Sequence, residues 1–258
     1  VAVDPYAHVL AHPGSLDARR ALLATWKAKG DARAELIEKQ LEYREFARKQ
    51  LLADARARQL SSEIHALIYK YKRAWAGDLA EFVTDYSYHR GLLAEVDVPG
   101  ERFPRIASKL FASAPIQHLT ITKPLGSIEA LFASPYLERL VSLGMPDDGL
   151  GDRGAITLAR SPHVRNLRWL DLGSNEIGQA GVEALAASPY LASARFIGLG
   201  GNPVNPTPWV ALDSGFYQKG QRSPAQELER TFGKRPWLDV PENPEDWPPD
   251  RDELAITP

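Results

Sequence analysis

The chain contains no cysteine, so disulfides, thiolate metal sites and a cysteine nucleophile are excluded and a reducing compartment is favoured. It lacks any apolar run near the roughly 18 to 20 residues that a membrane-spanning helix needs, and no basic-then-apolar segment opens it. A cytoplasmic protein with no membrane partner is the expectation. A large charge of one sign is missing as well. Lys and Arg number 31 against 33 Asp and Glu, a formal net charge of −2, which gives no global pull towards nucleic acid. What the 258 residues do hold is 44% hydrophobic content, ample for a sizeable core.

Catalytic signatures are also absent. His8, His12, His65, His89, His118 and His163 are scattered without a His-Glu-x-x-His spacing. His8 and His12 lie one helical turn apart, but Pro13 ends that turn and no third ligand follows. Asp147, Asp148 and Asp152 read as solvated loop carboxylates rather than a calcium site. Gly151, Gly154, Gly178 and Gly181 recur with a period and precede no Lys-Ser/Thr, so they read as turn and close-packing positions, not a phosphate loop. His118 opposite Glu95 would form a base pair for catalysis only if Ser142 served as nucleophile on a face that excludes water, which an open sheet seldom does. No catalytic residue, cofactor or metal is assigned, and the expectation is a non-enzymatic protein.

The positive content is a repeat. Leu167, Leu170, Leu172, Asn175 and Ile177 are echoed 27 residues later by Ala194, Ile197, Leu199, Asn202 and Val204. The same apolar triplet recurs upstream as Leu140/Leu143/Met145, Ile116/Leu119/Ile121 and Leu93/Val96/Val98, which predicts five strands. Ala155/Leu158 and Val182/Leu185, followed by Ser161-Pro162 and Ser188-Pro189, predict helices between them, with looser versions at Leu131 and Leu110. Asn175 and Asn202 stand where a buried amide can bond the backbone leaving a strand, and Asp148 replaces them one repeat earlier.

This pattern resembles the leucine-rich repeat, of the ribonuclease-inhibitor-like class, over roughly residues 92 to 204. The resemblance implies an α/β solenoid, a short horseshoe of about five parallel strands that binds protein through its concave sheet. Strand alternation points the residues between the buried triplets into the concavity. The central column reads Glu95, His118, Ser142, Trp169 and Phe196, with Arg168 and Arg195 to one side and Asp171 to the other. Aromatics flanked by arginines make a typical interface centre. The candidate partner-binding residues are therefore Trp169, Phe196, Arg168, Arg195, Asp171 and His118.

Upstream, Pro5–Ala11, Leu16–Lys29 and Ala32–Tyr43 predict helices, with Leu16, Arg20, Leu23 and Trp26 as the apolar-facing stripe of the second. From Gln40 to Trp75 no Pro or Gly interrupts a helical pattern, so one long helix or two is expected. The stretch from Leu10 to Ile37, with His12-Pro13, Trp26, Gly30-Asp31 and Glu35-Leu36-Ile37, resembles the helical repeat-companion domain that precedes leucine-rich repeats in some bacterial proteins. It departs from that pattern at Thr25, Lys27 and Ala34, and the resemblance implies no catalytic activity. Arg44, Arg48, Lys49, Arg56, Arg58, Lys70, Lys72 and Arg73 would be a nucleic-acid-binding face were Glu38, Glu42, Glu45, Asp54 and Glu63 not interspersed. A solvated mixed-charge face is the better reading.

Past Val204 the repeat breaks at prolines. Trp209, Val210, Leu212, Phe216 and Tyr217 are expected to cap the open end. Ser223 to Phe232 predicts a helix stopped by Gly233, and a Pro-rich acidic tail carrying Trp237 and Trp247 is placed either on the arginine side of the concavity or as a motif for another protein. The organisation expected is an all-α N-terminal module over 1–90, repeats over 91–212, and a cap with tail over 213–258. The function expected is protein binding. A structural subunit or adaptor contacting neighbours by the helical module or tail is the alternative, and nucleic-acid binding a weaker one.

Overall fold

In the computed structural model, residues 4–204 and 224–238 are described. They form a mixed α/β structure with a six-stranded, mostly parallel sheet in the order β1-β2-β3-β4-β5-β6, and nine α-helices among the described residues. Two compact units divide them: 4–96 with 108–116, and 97–107 with 117–204 and 224–238.

The first unit begins with α1 (Pro5–Ala11), whose N-terminus is capped by Asp4 accepting from the amides of Tyr6 and Ala7. Ser15 caps α2 (Leu16–Ala28) at the amide of Ala18, and Gly30, at φ +68°, ends that helix. The helices α3 (Arg33–Arg48) and α4 (Ala55–Ala76) divide the Pro- and Gly-free stretch into two. Gln50 makes the break by entering the left-handed region, and Asp54 restarts the chain by accepting from the amide of Arg56 at 2.7 Å.

The core joins Val9, Ala18, Leu22, Trp26, Ala34, Ile37 and Leu92. The buried face of α2 is therefore Ala18, Arg19, Leu22 and Trp26, whereas Arg20 is exposed and Leu16 and Leu23 are only half-buried. Arg19 takes a core position because its guanidinium donates to the carbonyls of Pro13 and Arg90, which a hydropathy pattern does not reveal.

An all-α module over 1–90 is corrected by β1 (Asp85–His89), which pairs with β2 (Leu92–Pro99) through the turn Arg90-Gly91. Both turn residues have positive φ, 50° and 80°, the geometry of a two-residue hairpin. Glycine is required at 91, since a Cβ there would lie 2.0 Å from Ile37 Cγ1. The strand count thus rises from five to six, and so short a connection makes the added strand antiparallel to its neighbour. The helix α5 (Phe103–Ser113) follows β2.

In the second unit β3 (His118–Thr122), α6 (Ile128–Phe132), β4 (Ser142–Gly144), α7 (Gly151–Arg160), β5 (Trp169–Asp171), α8 (Gln179–Ala187) and β6 (Phe196–Gly198) alternate. The four strands pair in parallel, with His118, Ser142, Trp169 and Phe196 in register. Consecutive parallel neighbours joined by crossovers of one hand place all connecting helices on one face. Leu119, Leu143, Leu170 and Ile197 are buried beneath them.

Side-chain ladders tie successive units. Asn175 Oδ1 accepts from the amides of Asp148 and Leu150, while its Nδ2 donates to the carbonyls of Met145 and Gly173. Asn202 repeats the pattern with the amides of Asn175 and Ile177 and the carbonyls of Leu172 and Leu199. Ser161 donates to Phe132 O and Ser188 to Ala159 O, both at 2.6 Å. Asp152 Oδ1 receives the amides of Gly178 and Gly181 and so caps the N-terminus of α8, which has no side-chain cap of its own. A Cβ at Gly181 would lie 2.6 Å from that oxygen.

The expected C-terminal helix is α9 (Pro224–Phe232), packed on α8 and followed by Gly233 at φ +80°. A 3-10 turn, Pro236–Leu238, then buries Trp237 and Leu238 and packs on β6. Ser223, the expected cap Trp209, Val210, Leu212, Phe216 and Tyr217, and the tail with Trp247 lie outside the described residues.

Candidate functional site

Alternation along β3 to β6 turns His118, Ser142, Trp169 and Phe196 to the sheet face opposite the helices, with Thr120, Gly144, Asp171 and Gly198 two residues on. Across β5 and β6 the rings of Trp169 and Phe196 stack, with centroids 5.1 Å apart and planes at 25°. Both side chains are half-buried. Gly198 makes the stack possible, since a Cβ there would stand 3.0 Å from the Phe196 ring and 3.0 Å from Asp171 Oδ1.

Three further candidate residues border this pair. Asp171 is half-buried and accepts from the amide of Gly173 at 3.0 Å. Arg195 is exposed. Arg168 is half-buried, and its Nη1 donates to the carbonyl of Ser193 at 3.0 Å, which holds it beside the last strand. His118 and Ser142 lie in the same register row, yet each is only 1% exposed, so His118 is not placed to touch a partner from the surface. Five of the six candidate residues are therefore brought together at the end of the sheet, and the sixth is buried.

Glu95 lies 2.8 Å from His89 Nε2, a pairing the sequence reading missed because a hairpin creates it. Of the three residues expected as solvated loop carboxylates, Asp152 lies instead in the first turn of α7 and is taken up by backbone amides, and Asp148 is buried. Among the described residues no group of three or more His, Asp or Glu is close enough to hold a metal ion. Of the eight basic residues offered as a nucleic-acid-binding face, Arg48 pairs with Glu45, Arg56 with Glu42, Lys72 with Asp85 and Arg73 with Glu81, and Lys27 and Lys39 nearby pair with Glu38 and Glu63, so about half of that positive charge is locally matched.

Asp148 has the one strongly displaced carboxyl of this unit among the described residues. It occupies the place of Asn175 one unit earlier, and with the 24-residue offset between β3 and β4 the amides it would receive belong to Pro124 and Gly126. Pro124 has no N–H, and a carboxylate cannot supply the donor that an asparagine amide does. Its Oδ2 is accordingly buried without a hydrogen-bond partner. Burial pushes the carboxyl up to about 6, with Lys123 pulling it down and Asp147 adding a smaller push upwards.

Comparison of the chain with protein-family models, with curated proteins and with solved structures finds no match.

Proposed function

We propose that the chain is a non-enzymatic interaction protein, a short leucine-rich-repeat solenoid that binds another protein on its helix-free sheet face. Trp169 and Phe196 form the centre of contact, and Arg168, Arg195 and Asp171 supply the polar border. The observation that carries this reading is the stacked pair on registered positions of the last two strands, opposite the helices. Each such ring can bury ~150 to 250 Å² against a partner, and aromatic and arginine side chains dominate the energetics of protein interfaces. The amide ladder of Asn175 and Asn202 supports the repeat assignment, since it fixes neighbouring units at one spacing. Binding at a preformed face costs little ordering entropy, which favours a site built on strands over one on loops.

A photo-crosslinking residue placed at Phe196, and separately at the exposed Ala180 on α8, tests the reading in extract of the native cell. Adducts of defined mass from position 196 and none from 180 are expected. Adducts from 180 alone, or from neither position, would contradict it.

A further inference from the structure

A cavity of about 240 Å³ lies wholly within the first unit, remote in sequence from the aromatic pair. Three rings line it, Tyr6, Trp75 and Tyr88, together with Arg33, Lys109 and Asp78. Trp75 is fixed between Tyr71, stacked at 4.8 Å, and Tyr88, edge-on at 5.8 Å. The two lining phenols have committed their protons, Tyr6 to Ser113 O at 2.7 Å and Tyr88 to Lys72 O at 2.9 Å. They therefore offer flat apolar faces rather than donors.

The donors come from the cations. Asp31 takes Nε and Nη2 of Arg33, which leaves Nη1 without a hydrogen bond among the described residues. Lys109 Nζ stands 3.9 Å from Asp78 Oδ2, beyond hydrogen-bond distance, and 4.1 Å from the centre of the Phe82 ring. Asp78 is 85% exposed, so its charge is screened by water. The cavity thus combines aromatic faces with the ammonium of Lys109 and the remaining Nη1 of Arg33, whose guanidinium is paired with Asp31 and lies over the Trp26 ring.

We infer that this cavity binds a small aromatic carboxylate, one ring bearing one anionic group, with Lys109 and Arg33 as its charge partners. Size points the same way: an apolar cavity of roughly 150 Å³ accommodates benzene, and the remaining ~90 Å³ admits a carboxylate with a short methylene link. Charge-assisted hydrogen bonds orient the anion, and the rings supply the apolar contact.

Isothermal titration of the full chain with phenylacetate, benzyl alcohol and acetate tests this. Phenylacetate is expected to bind with a dissociation constant on the order of 10⁻⁴ M, at least about tenfold tighter than either the neutral ring or the bare carboxylate. Lys109→Ala, at a side chain 47% exposed, is expected to weaken phenylacetate about tenfold and leave benzyl alcohol unchanged. Trp169→Ala is expected to change neither, which separates this site from the protein-binding face. Absence of phenylacetate binding at about 5 mM, equal binding of benzyl alcohol, or unchanged affinity in Lys109→Ala would each overturn the inference.

Discussion

Asn175 satisfies four backbone groups with one amide and is fully buried while doing so. Its replacement by alanine strands the amides of Asp148 and Leu150 and the carbonyl of Met145, each worth roughly 1 to 3 kcal/mol when unsatisfied, while Gly173 O keeps the amide of Asp147. Allowing for relaxation, Asn175→Ala is expected to lower unfolding free energy by about 3 to 5 kcal/mol, measured by urea denaturation at pH 7. Asp148 is the counter-case at the same place one unit earlier. Its folded carboxyl, at about 6, lies above the unfolded value near 4, so the folded state holds the proton more tightly. The stabilisation is fully present below about pH 4 and is lost as pH rises towards 6 and above. Asp148→Asn is therefore expected to gain up to about 3 kcal/mol at pH 7.5 and little at pH 4, read from denaturation curves at the two values. A gain independent of pH would show that the lost amide, not the ionised carboxylate, sets the cost.

At the scale of elements, the Trp237 side chain is buried where the 3-10 turn packs on β6. Trp237→Ala is expected to cost about 3 to 5 kcal/mol and to raise amide exchange in β6 before β3. Equal loss of protection in all four parallel strands would contradict its role as a local end cover. Such elements were unevenly legible in the sequence. The strands β3 to β6 follow from the apolar triplets because one residue in each faces the helices, and the helix-free row could then be named by alternation. The strand β1 escaped notice because Asp85-Tyr86-Ser87-Tyr88-His89 has no buried aliphatic period, and only Tyr88 of it is buried. The face of α2 was misread for a related reason: Arg19 is held in the core by two carbonyl acceptors from elsewhere in the chain, which composition does not encode. The break between α3 and α4 needs neither Pro nor Gly, because Gln50 and Asp54 supply a positive φ and a cap.

Over the whole molecule, the near balance of charge is matched by local pairing on the first unit's helices. Retention of single-stranded or duplex nucleic acid at about 150 mM salt is not expected, because paired lysines and arginines release few counterions on binding. Steeply salt-dependent retention in a filter-binding assay would reverse that expectation. No helix among the described residues is long and apolar enough to cross a membrane. Trp169, Phe196 and Asp171 were nameable beforehand because strand alternation is a local property, whereas Arg168 and Arg195 stand one residue before the strands and were named from the repeat pattern. The burial of His118 was not, since alternation gives the face a side chain takes and not its exposure. Under the proposed function Trp169 and Phe196 carry the binding. The most direct test is the dissociation constant of the crosslinked partner for the native chain and for Trp169→Ala/Phe196→Ala, with folding of both verified by circular dichroism. A loss of at least about a hundredfold is expected, whereas affinities within about threefold of one another would contradict the assignment.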